Sequence, residues 1–316
     1  MELGKHNLAR LGEQAFDRHG DRTYLFWEGK TFRSGELWER ALRLTQGFGE
    51  LGIEPGDRVV VMMANCPEVG ICYTALWRAG AAITPAIFLL SADDLRHILT
   101  DSEARAVITT PEFLATVQTA VEGVDTLKWV ISTGPEQEGV IPLASLETAE
   151  PGEIVTRADD DLAALMYTGG TTGKAKGVML THANLWWAGK YSYENSHVPG
   201  IDRTLVPLPL SHSFGLIVTV VGLHHEDPGE VVLMTWFDPT GWLELVHEHK
   251  VQNSPMVPSM LQILLAIPSR TTTSPLSATS CRVPPLCLPM SLGSSRSACR
   301  ASPSARATGS RRHRRA

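Results

Sequence analysis

Residues 167–177 read Tyr-Thr-Gly-Gly-Thr-Thr-Gly-Lys-Ala-Lys-Gly, and they lie between two apolar segments, 162–166 and 178–180. The glycines let the backbone turn tightly and approach a ligand closely. Threonine hydroxyls, two lysines and freed backbone N–H groups supply donors and positive charge without bulk, which a polyphosphate requires. Because the flanking segments are predicted to be buried strands, the pattern predicts a phosphate-binding loop that joins two strands and does not open a helix.

The spacing distinguishes this loop from a Walker A loop, because no G-x-x-x-x-G-K-[ST] pattern can be read through it. It resembles the phosphate loop of the adenylate-forming superfamily, which includes acyl-CoA synthetases, luciferases and nonribosomal-peptide adenylation domains. That family's pattern is close to Y-T-S-G-T-T-G-x-P-K-G, and here Gly169 stands at the serine and Ala175 at the proline. The alternative is a solvated Gly/Thr hairpin turn.

Apolar runs alternate with segments of helical spacing from residue 21 to residue 268. Residues 59–63, 106–109 and 129–131 are short runs typical of buried strands, and residues 37–51 have apolar positions at helical spacing. This alternation predicts an α/β fold with parallel-sheet layers covered by helices. The resemblance implies that it is an incomplete large N-terminal domain of the adenylate-forming fold.

Several ends of helices and strands are also predicted. Ser91 and Asp238 are typical helix N-caps. Residues 256–257 are predicted to end a strand, and Ser259 to cap the helix that follows.

Composition divides the chain into two parts. Residues 1–268 form the predicted domain, which is subdivided near the polar stretch 135–160. Residues 269–316 hold nine arginines, eleven serines and five prolines but no aromatic residue, which is typical of a disordered tail. Reading a GC-rich gene out of frame gives a similar composition, so we hypothesise a frameshift product. A natural basic tail for anionic partners is the alternative, and translating the other frames around the Ser269 codon distinguishes the two.

Charge and cysteine usage restrict the classes of function. The whole chain has a net charge of −6, but residues 1–268 alone have a net charge of −15, because nine of the arginines lie in residues 269–316. An acidic body argues against nucleic-acid binding. No apolar run approaches the about 20 residues of a membrane span, residues 1–22 lack the apolar core of a signal peptide, and no C-x-x-C pair occurs. These features favour a cytoplasmic protein, and they carry no signal for the oligomeric state.

Residues 207–215 read Pro-Leu-Pro-Leu-Ser-His-Ser-Phe-Gly. The stretch resembles the next core motif of the adenylate-forming family, in which a histidine follows a Pro-containing strand and faces the acyl pocket. The resemblance implies that His212 orients the carboxylate or lines the acyl tunnel, and that it does not transfer a proton. The alternative is a structural histidine, which is the commoner role of a single histidine.

Three other patterns are interpreted as structural. Residues 47–52 match G-x-G-x-x-G, but a helix precedes them where a dinucleotide site requires a strand. The stretches 224–227 and 247–249 are rich in metal-ligand residue types, but their spacing does not suit zinc, so surface polar residues are predicted. The aromatic pairs 186–187 and 236–237 are predicted to lie in the core.

The resemblance implies an ATP-dependent acid–thiol ligase of the acyl-CoA synthetase type. In such enzymes a carboxylate attacks the α-phosphorus of Mg·ATP, which gives an acyl-adenylate and pyrophosphate, and the thiol of coenzyme A then displaces AMP. The implied ligands are ATP, Mg²⁺, coenzyme A and a small carboxylic acid, with fatty acids favoured.

The same resemblance assigns roles to individual residues. The residues implied to bind the triphosphate are Thr168, Gly169, Gly170, Thr171, Thr172, Gly173 and Lys176. Lys176 and His212 are the implied catalytic residues, and no residue is assigned to a metal. Lys174 stands at a variable position of the pattern, so we expect it to be exposed.

Two other functions stay open: a non-catalytic fragment that binds ATP or folds only with a partner, and an adenylation domain of a nonribosomal-peptide system. The family's Y-G-x-T-E motif, ribose-binding aspartate, hinge and C-terminal lid with its adenylation lysine are not found after residue 268. We therefore expect the chain to correspond to about the first half of such an enzyme.

We expect this polypeptide alone to show little or no ligase activity, because the adenine-binding motif and the lid lysine are not found in it. An ATP–pyrophosphate exchange assay with a panel of fatty and aryl acids measures the first half-reaction. Robust exchange that depends on the added carboxylate would contradict this expectation.

Overall fold

The computed structural model describes residues 3–169 and 173–267, so the predicted tail 269–316 and residues 170–172 lie outside it. The strands are β1 (Thr23–Trp27), β2 (Lys30–Arg33), β3 (Arg58–Met62), β4 (Ala82–Pro85), β5 (Ala106–Thr109), β6 (Trp129–Ser132), β7 (Ile141–Pro142), β8 (Leu162–Thr168), β9 (Lys176–Thr181), β10 (Arg203–Val206) and β11 (Glu230–Leu233). The helices are α1 (Leu8–His19), α2 (Ser34–Leu51), α3 (Pro67–Arg78), α4 (Ala92–Asp101), α5 (Leu114–Val121), α6 (Leu143–Leu146), α7 (His182–Ser196), α8 (Ser213–His224), α9 (Pro239–Glu248) and α10 (Pro258–Leu265).

The described strands form two sheets in which parallel pairs dominate. The larger sheet has the order β7-β6-β5-β3-β4-β8-β9, and the smaller has the order β10-β11-β1-β2. Each contains one antiparallel pair at an edge, β8 with β9 and β1 with β2. Central strands such as β3 are continuous apolar runs because helices cover both faces; Val59, Val60 and Val61 are at most 1% exposed. The predicted α/β fold is confirmed.

Two of the three predicted helix caps are confirmed. The Ser91 hydroxyl accepts the Asp94 backbone N–H at the start of α4, and the Asp238 carboxylate accepts the Gly241 N–H at the start of α9. The third is wrong, because α10 already begins at Pro258 and Ser259 lies inside it. A proline at the first helical position sets that start, since its fixed φ suits the helix and it has no N–H to leave unpaired.

Two predictions about strands are wrong, and one about aromatic residues is half wrong. Residues 256–257 form no strand. The strand β9 is not buried: Val178 is 45% and Met179 is 69% exposed, because β9 is the last strand of its sheet and pairs only with β8. Each aromatic pair lies only half in the core: Trp186 and Phe237 pack against it, whereas Trp187 and Trp236 are 41% and 59% exposed.

The G-x-G-x-x-G pattern marks the packing and the end of α2, as predicted. A Cβ at Gly47 would lie 2.2 Å from the Leu146 carbonyl oxygen, so only glycine allows α6 to approach this closely. Gly52 ends the helix with φ of +90°, in the left-handed region that glycine favours.

Asn65 joins the two sheets. It is 1% exposed and follows β3 in the larger sheet. Its Nδ2 donates to the carbonyl oxygens of Leu208 at 2.8 Å and Met234 at 2.9 Å, and its Oδ1 accepts the Leu210 N–H at 2.8 Å. These partners follow β10 and β11, so one amide fixes the ends of strands from both sheets.

We expect Asn65→Ala to lower the free energy of unfolding by about 3 kcal/mol, because it leaves three buried backbone groups without partners. Urea denaturation followed by circular dichroism measures this. Asn195→Ala is the matched control, since Asn195 is exposed and bonds only within α7. A loss for Asn65→Ala no larger than that of the control would contradict the role given to Asn65.

His182 is buried at the junction of β9 and α7. It is 0% exposed, and its Nδ1 accepts the Leu8 N–H at 3.2 Å, which attaches α1 to this junction. Burial, and secondarily the nearby Arg157 charge, lower the pKa of His182 to about 4. Between about pH 4 and about pH 6.5 the imidazole of His182 is therefore neutral in the folded protein, whereas it would be protonated in the unfolded chain.

The depressed pKa makes the stability depend on pH. The contribution of neutral His182 to the free energy of unfolding is complete above the ordinary histidine pKa of about 6.5. It is lost as the pH falls from about 6.5 to about 4, because in this range the unfolded chain binds a proton that the folded chain does not. The full loss is about 3 kcal/mol. We expect His182→Asn, whose amide oxygen can still accept the Leu8 N–H, to flatten this acid limb in urea titrations.

The exposed His247→Asn serves as the control and should keep the acid limb of the unmodified chain. Identical acid limbs for His182→Asn and the control would show that His182 does not contribute to the acid limb.

No helix within the described part of the chain is both long and apolar enough to cross a bilayer.

Candidate functional site

The glycine-rich loop connects two strands, as the sequence predicts, and these strands are antiparallel. β8 ends at Thr168 and β9 begins at Lys176, and these two residues lie directly opposite each other in the ladder. The preceding pair is Tyr167 opposite Gly177. Opposed residues of an antiparallel pair project from the same face with Cβ atoms about 5 Å apart. One hydroxyl and one ammonium group are thus presented side by side at the base of the loop.

The structure describes four of the seven predicted phosphate-binding residues. Thr168, Gly169, Gly173 and Lys176 are all exposed, whereas residues 170–172 lie outside the described part of the chain. A Cβ added at Gly169 or Gly173 would meet no described atom within 4 Å. Packing within the described chain therefore does not explain glycine at these two positions. Lys174 is exposed, as predicted.

Helix α4 contacts both arms of this hairpin. The Tyr167 hydroxyl donates to Asp101 Oδ2 at 2.7 Å, and His97 Nε2 lies 2.8 Å from the Ala175 carbonyl oxygen. Burial, followed by the hydrogen bond to Asp101, raises the pKa of Tyr167 well above its ordinary value, so the hydroxyl remains a donor. No motif in the sequence marks His97 or Asp101, because their roles arise from tertiary contacts.

His212 lies at the start of α8. It is exposed and is the N-cap residue, with its Nδ1 accepting the Phe214 N–H at 3.4 Å. Since Nδ1 accepts, the neutral ring carries its hydrogen on Nε2, which can donate to a ligand. Within the described residues no hydrogen bond joins His212 to the hairpin, so the two predicted catalytic residues belong to separate elements.

Helices α7 and α8 connect those two elements. α7 follows β9 directly, and it packs closely on α8 because Gly189 faces Val220, where a Cβ would approach Val220 Cγ1 to 2.6 Å. Beyond His212, the half-buried Phe214, Ile217 and Val221 recur at helical spacing and form one apolar face of α8.

The prediction of surface polar residues is wrong for His224, which is 6% exposed, whereas Glu226, Asp227, His247 and Glu248 are exposed. His224 Nε2 donates to the Trp186 carbonyl oxygen at 3.0 Å, and burial lowers the pKa of His224 to about 4. Among residues 3–169 and 173–267, no group of three His, Cys, Asp or Glu side chains is arranged to hold a metal ion.

Known proteins share this sequence pattern and fold. The sequence profile described as "AMP-binding enzyme" matches residues 12–307. The chain is 34% identical over 242 residues to a feruloyl-CoA synthase from Amycolatopsis sp, across 76% of this chain and 46% of the relative. It is 26% identical over 282 residues to a crotonobetaine/carnitine–CoA ligase from Salmonella paratyphi A, across 85% of this chain and 54% of the relative.

Solved structures agree with these relatives. A long-chain-fatty-acid–CoA ligase from Archaeoglobus fulgidus has a TM-score of 0.76 and 26% identity, covering 84% of this chain and 54% of that one. A benzoate CoA ligase from Burkholderia xenovorans, 24% identical with a TM-score of 0.73 over 83% of this chain and 52% of that one, shares the fold. The chain spans about half the length of the curated relatives it matches. Because the family profile matches most of its length, the chain belongs to the AMP-binding enzyme family, and acyl-CoA synthetases and related CoA ligases are its relatives.

Proposed function

We propose that this chain carries the triphosphate loop of an ATP-dependent acid–thiol ligase of the acyl-CoA synthetase type. The single observation that carries the proposal is the β8–β9 hairpin, in which Thr168 and Lys176 stand opposite each other beside an in-register glycine- and threonine-rich loop. The reaction joins a carboxylate to AMP with release of pyrophosphate, and coenzyme A then displaces AMP to form a thioester.

The hairpin has a defined task in the first step. Attack of the carboxylate on the α-phosphorus breaks the bond to the β-phosphate oxygen, so negative charge builds on the departing pyrophosphate. The Lys176 ammonium group and the Thr168 hydroxyl stabilise that charge, because donors fixed in advance need no reorganisation during the reaction. Residues 170–172 keep the role predicted for them by resemblance, as further donors to the same phosphates.

We propose an apolar carboxylic acid, with fatty acids favoured, as the second substrate. Support comes from the face of α8 formed by Phe214, Ile217 and Val221, which begins next to His212. The Nε2–H of His212 would donate to a carboxylate oxygen and orient it, while the apolar face receives the body of the acid. The names of the relatives, which include feruloyl-CoA synthase and fatty-acid ligases, fit a planar or aliphatic acid.

A second candidate is a fragment that binds ATP without turnover. The exposed edge strand β9, with Val178 and Met179 accessible, favours it, because such a surface is typical of an element that awaits a partner. Thermal stabilisation by ATP in the absence of carboxylate-dependent exchange would support this candidate.

We expect Lys176→Ala to weaken binding of Mg·ATP to the 316-residue chain about tenfold, since a charge-assisted contact contributes about 1.5–3 kcal/mol. Isothermal titration calorimetry measures the Kd. Lys174→Ala removes the same charge two residues away, and it should change the Kd less than about twofold.

If Lys176→Ala and Lys174→Ala weakened Mg·ATP binding equally, the effect would reflect general electrostatic attraction and not a specific contact of Lys176. An unchanged Kd in Lys176→Ala would remove Lys176 from the site.

A further inference from the structure

Helix α4 presents two polar side chains to the hairpin from one face. His97 and Asp101 are four residues apart, which places them on the same side of the helix. His97 bonds to the carbonyl of Ala175, just before β9, and Asp101 accepts the Tyr167 hydroxyl from β8. One helix therefore holds both arms of the hairpin.

The geometry fixes how each bond is made. A carbonyl oxygen can only accept, so His97 carries a hydrogen on Nε2 and donates it. The rings of His97 and Tyr167 also meet edge to face, with centroids 6.2 Å apart and planes at 82°. The two tethers are thus in contact with each other and form one unit.

The tethered face is not the face that presents the phosphate donors. Successive pairs in a ladder project to opposite sides, so Tyr167 and its partner Gly177 point away from the side of Thr168 and Lys176. A Cβ at Gly177 would lie 3.0 Å from Leu165 Cδ1 and 3.2 Å from Tyr167 Cζ, so the side chains of both residues cover this position. The helix can hold the hairpin without obstructing a ligand.

The supporting helix is itself firmly held. Leu95, Ile98 and Leu99 of α4 are at most 3% exposed and pack in the core of the larger sheet. β9, in contrast, is an edge strand that pairs only with β8. The bond to the Ala175 carbonyl fixes the peptide plane that precedes Lys176, and with it the direction of that side chain.

We propose that His97 and Asp101 are positioning residues, which hold the two arms of the hairpin so that Lys176 points at the triphosphate. The role as a phosphate-site anchor rests on the proposed function, whereas the ordering of the hairpin does not. The two can therefore be tested separately.

Trypsin cleaves after Lys174 and Lys176, so its rate there reports the order of the hairpin without any nucleotide. In the full chain, His97→Ala should raise the cleavage rate at both lysines about fivefold and weaken the Kd for Mg·ATP about fivefold, the equivalent of about one hydrogen bond. Tyr167→Phe, which removes only the hydroxyl, should act in the same direction. His97→Gln, whose amide can donate to the same carbonyl, should stay within about twofold of the unmodified chain.

Two references separate a local effect from a global one. Cleavage after Lys250, an exposed residue beyond α9, should not change, and His247→Ala should match the unmodified chain in every measurement. If His97→Ala and Tyr167→Phe leave both hairpin cleavage and Kd within twofold, the positioning role is overturned. It is equally overturned if cleavage after Lys250 rises in parallel, since the residues would then support the whole fold.

The nucleotide measurement separates the two proposals. Faster hairpin cleavage in His97→Ala, in a chain that binds no Mg·ATP, would support the tethering and overturn the triphosphate assignment. A Kd that depends on Lys176 but not on His97 or Tyr167 would support the triphosphate assignment and overturn the positioning of Lys176 by helix α4.

Discussion

The fold depends on the rule that buried polar groups must be paired, and Asn65 is where that rule has the widest effect. A single side chain, three residues after the end of β3, satisfies two carbonyls and one N–H that follow β10 and β11. Leaving such groups unpaired costs about 1–3 kcal/mol each, so the two sheets have essentially one way to meet. His212 is two residues after Leu210, whose N–H is bound by Asn65, so this hydrogen bond also helps to position His212 at the start of α8.

The β8–β9 hairpin differs from the Asn65 contact, because its proposed phosphate donors Thr168 and Lys176 are exposed and, for that role, must remain unpaired until a ligand binds. A loop that is to surround phosphates, as proposed for this one, needs glycine and free N–H groups, and such a composition favours few contacts within the loop. Order must then come from neighbours, and α4 supplies it through two side chains whose backbone is anchored in the core. The same division recurs at the other end of β9, where the buried His182 joins the strand to α1. Buried supports thus flank the exposed edge strand β9.

How much of this the sequence could predict depends on where the determining contacts lie. β5 is predicted to the residue and β3 to within one, because a strand covered on both faces is a continuous apolar run. The sequence does not predict helix α1, because its first residues mix charges with apolar positions and a single Asn7 is a weak signal for a helix N-cap. Burial of β9, Trp187 and Trp236 is wrongly predicted, because residue type does not say whether another element covers a surface. The loop is recognisable from composition and order, whereas His97 and Asp101 carry no local signal.

Register is the final link between the ladder and the chemistry. Side chains alternate between faces with a period of two, so a slip of one residue between β8 and β9 would turn Lys176 to the side now occupied by Tyr167. Tyr167 opposes such a slip: its ring lies over Gly177, the position without a side chain, and its hydroxyl reaches Asp101. In the slipped register Val178 would lie opposite Tyr167, and its β-branched side chain would occupy the space that the tyrosine ring now fills. Glycine at 177 and tyrosine at 167 therefore favour the register that puts Thr168 and Lys176 together, so the arrangement of the two proposed phosphate donors follows from packing on the opposite face.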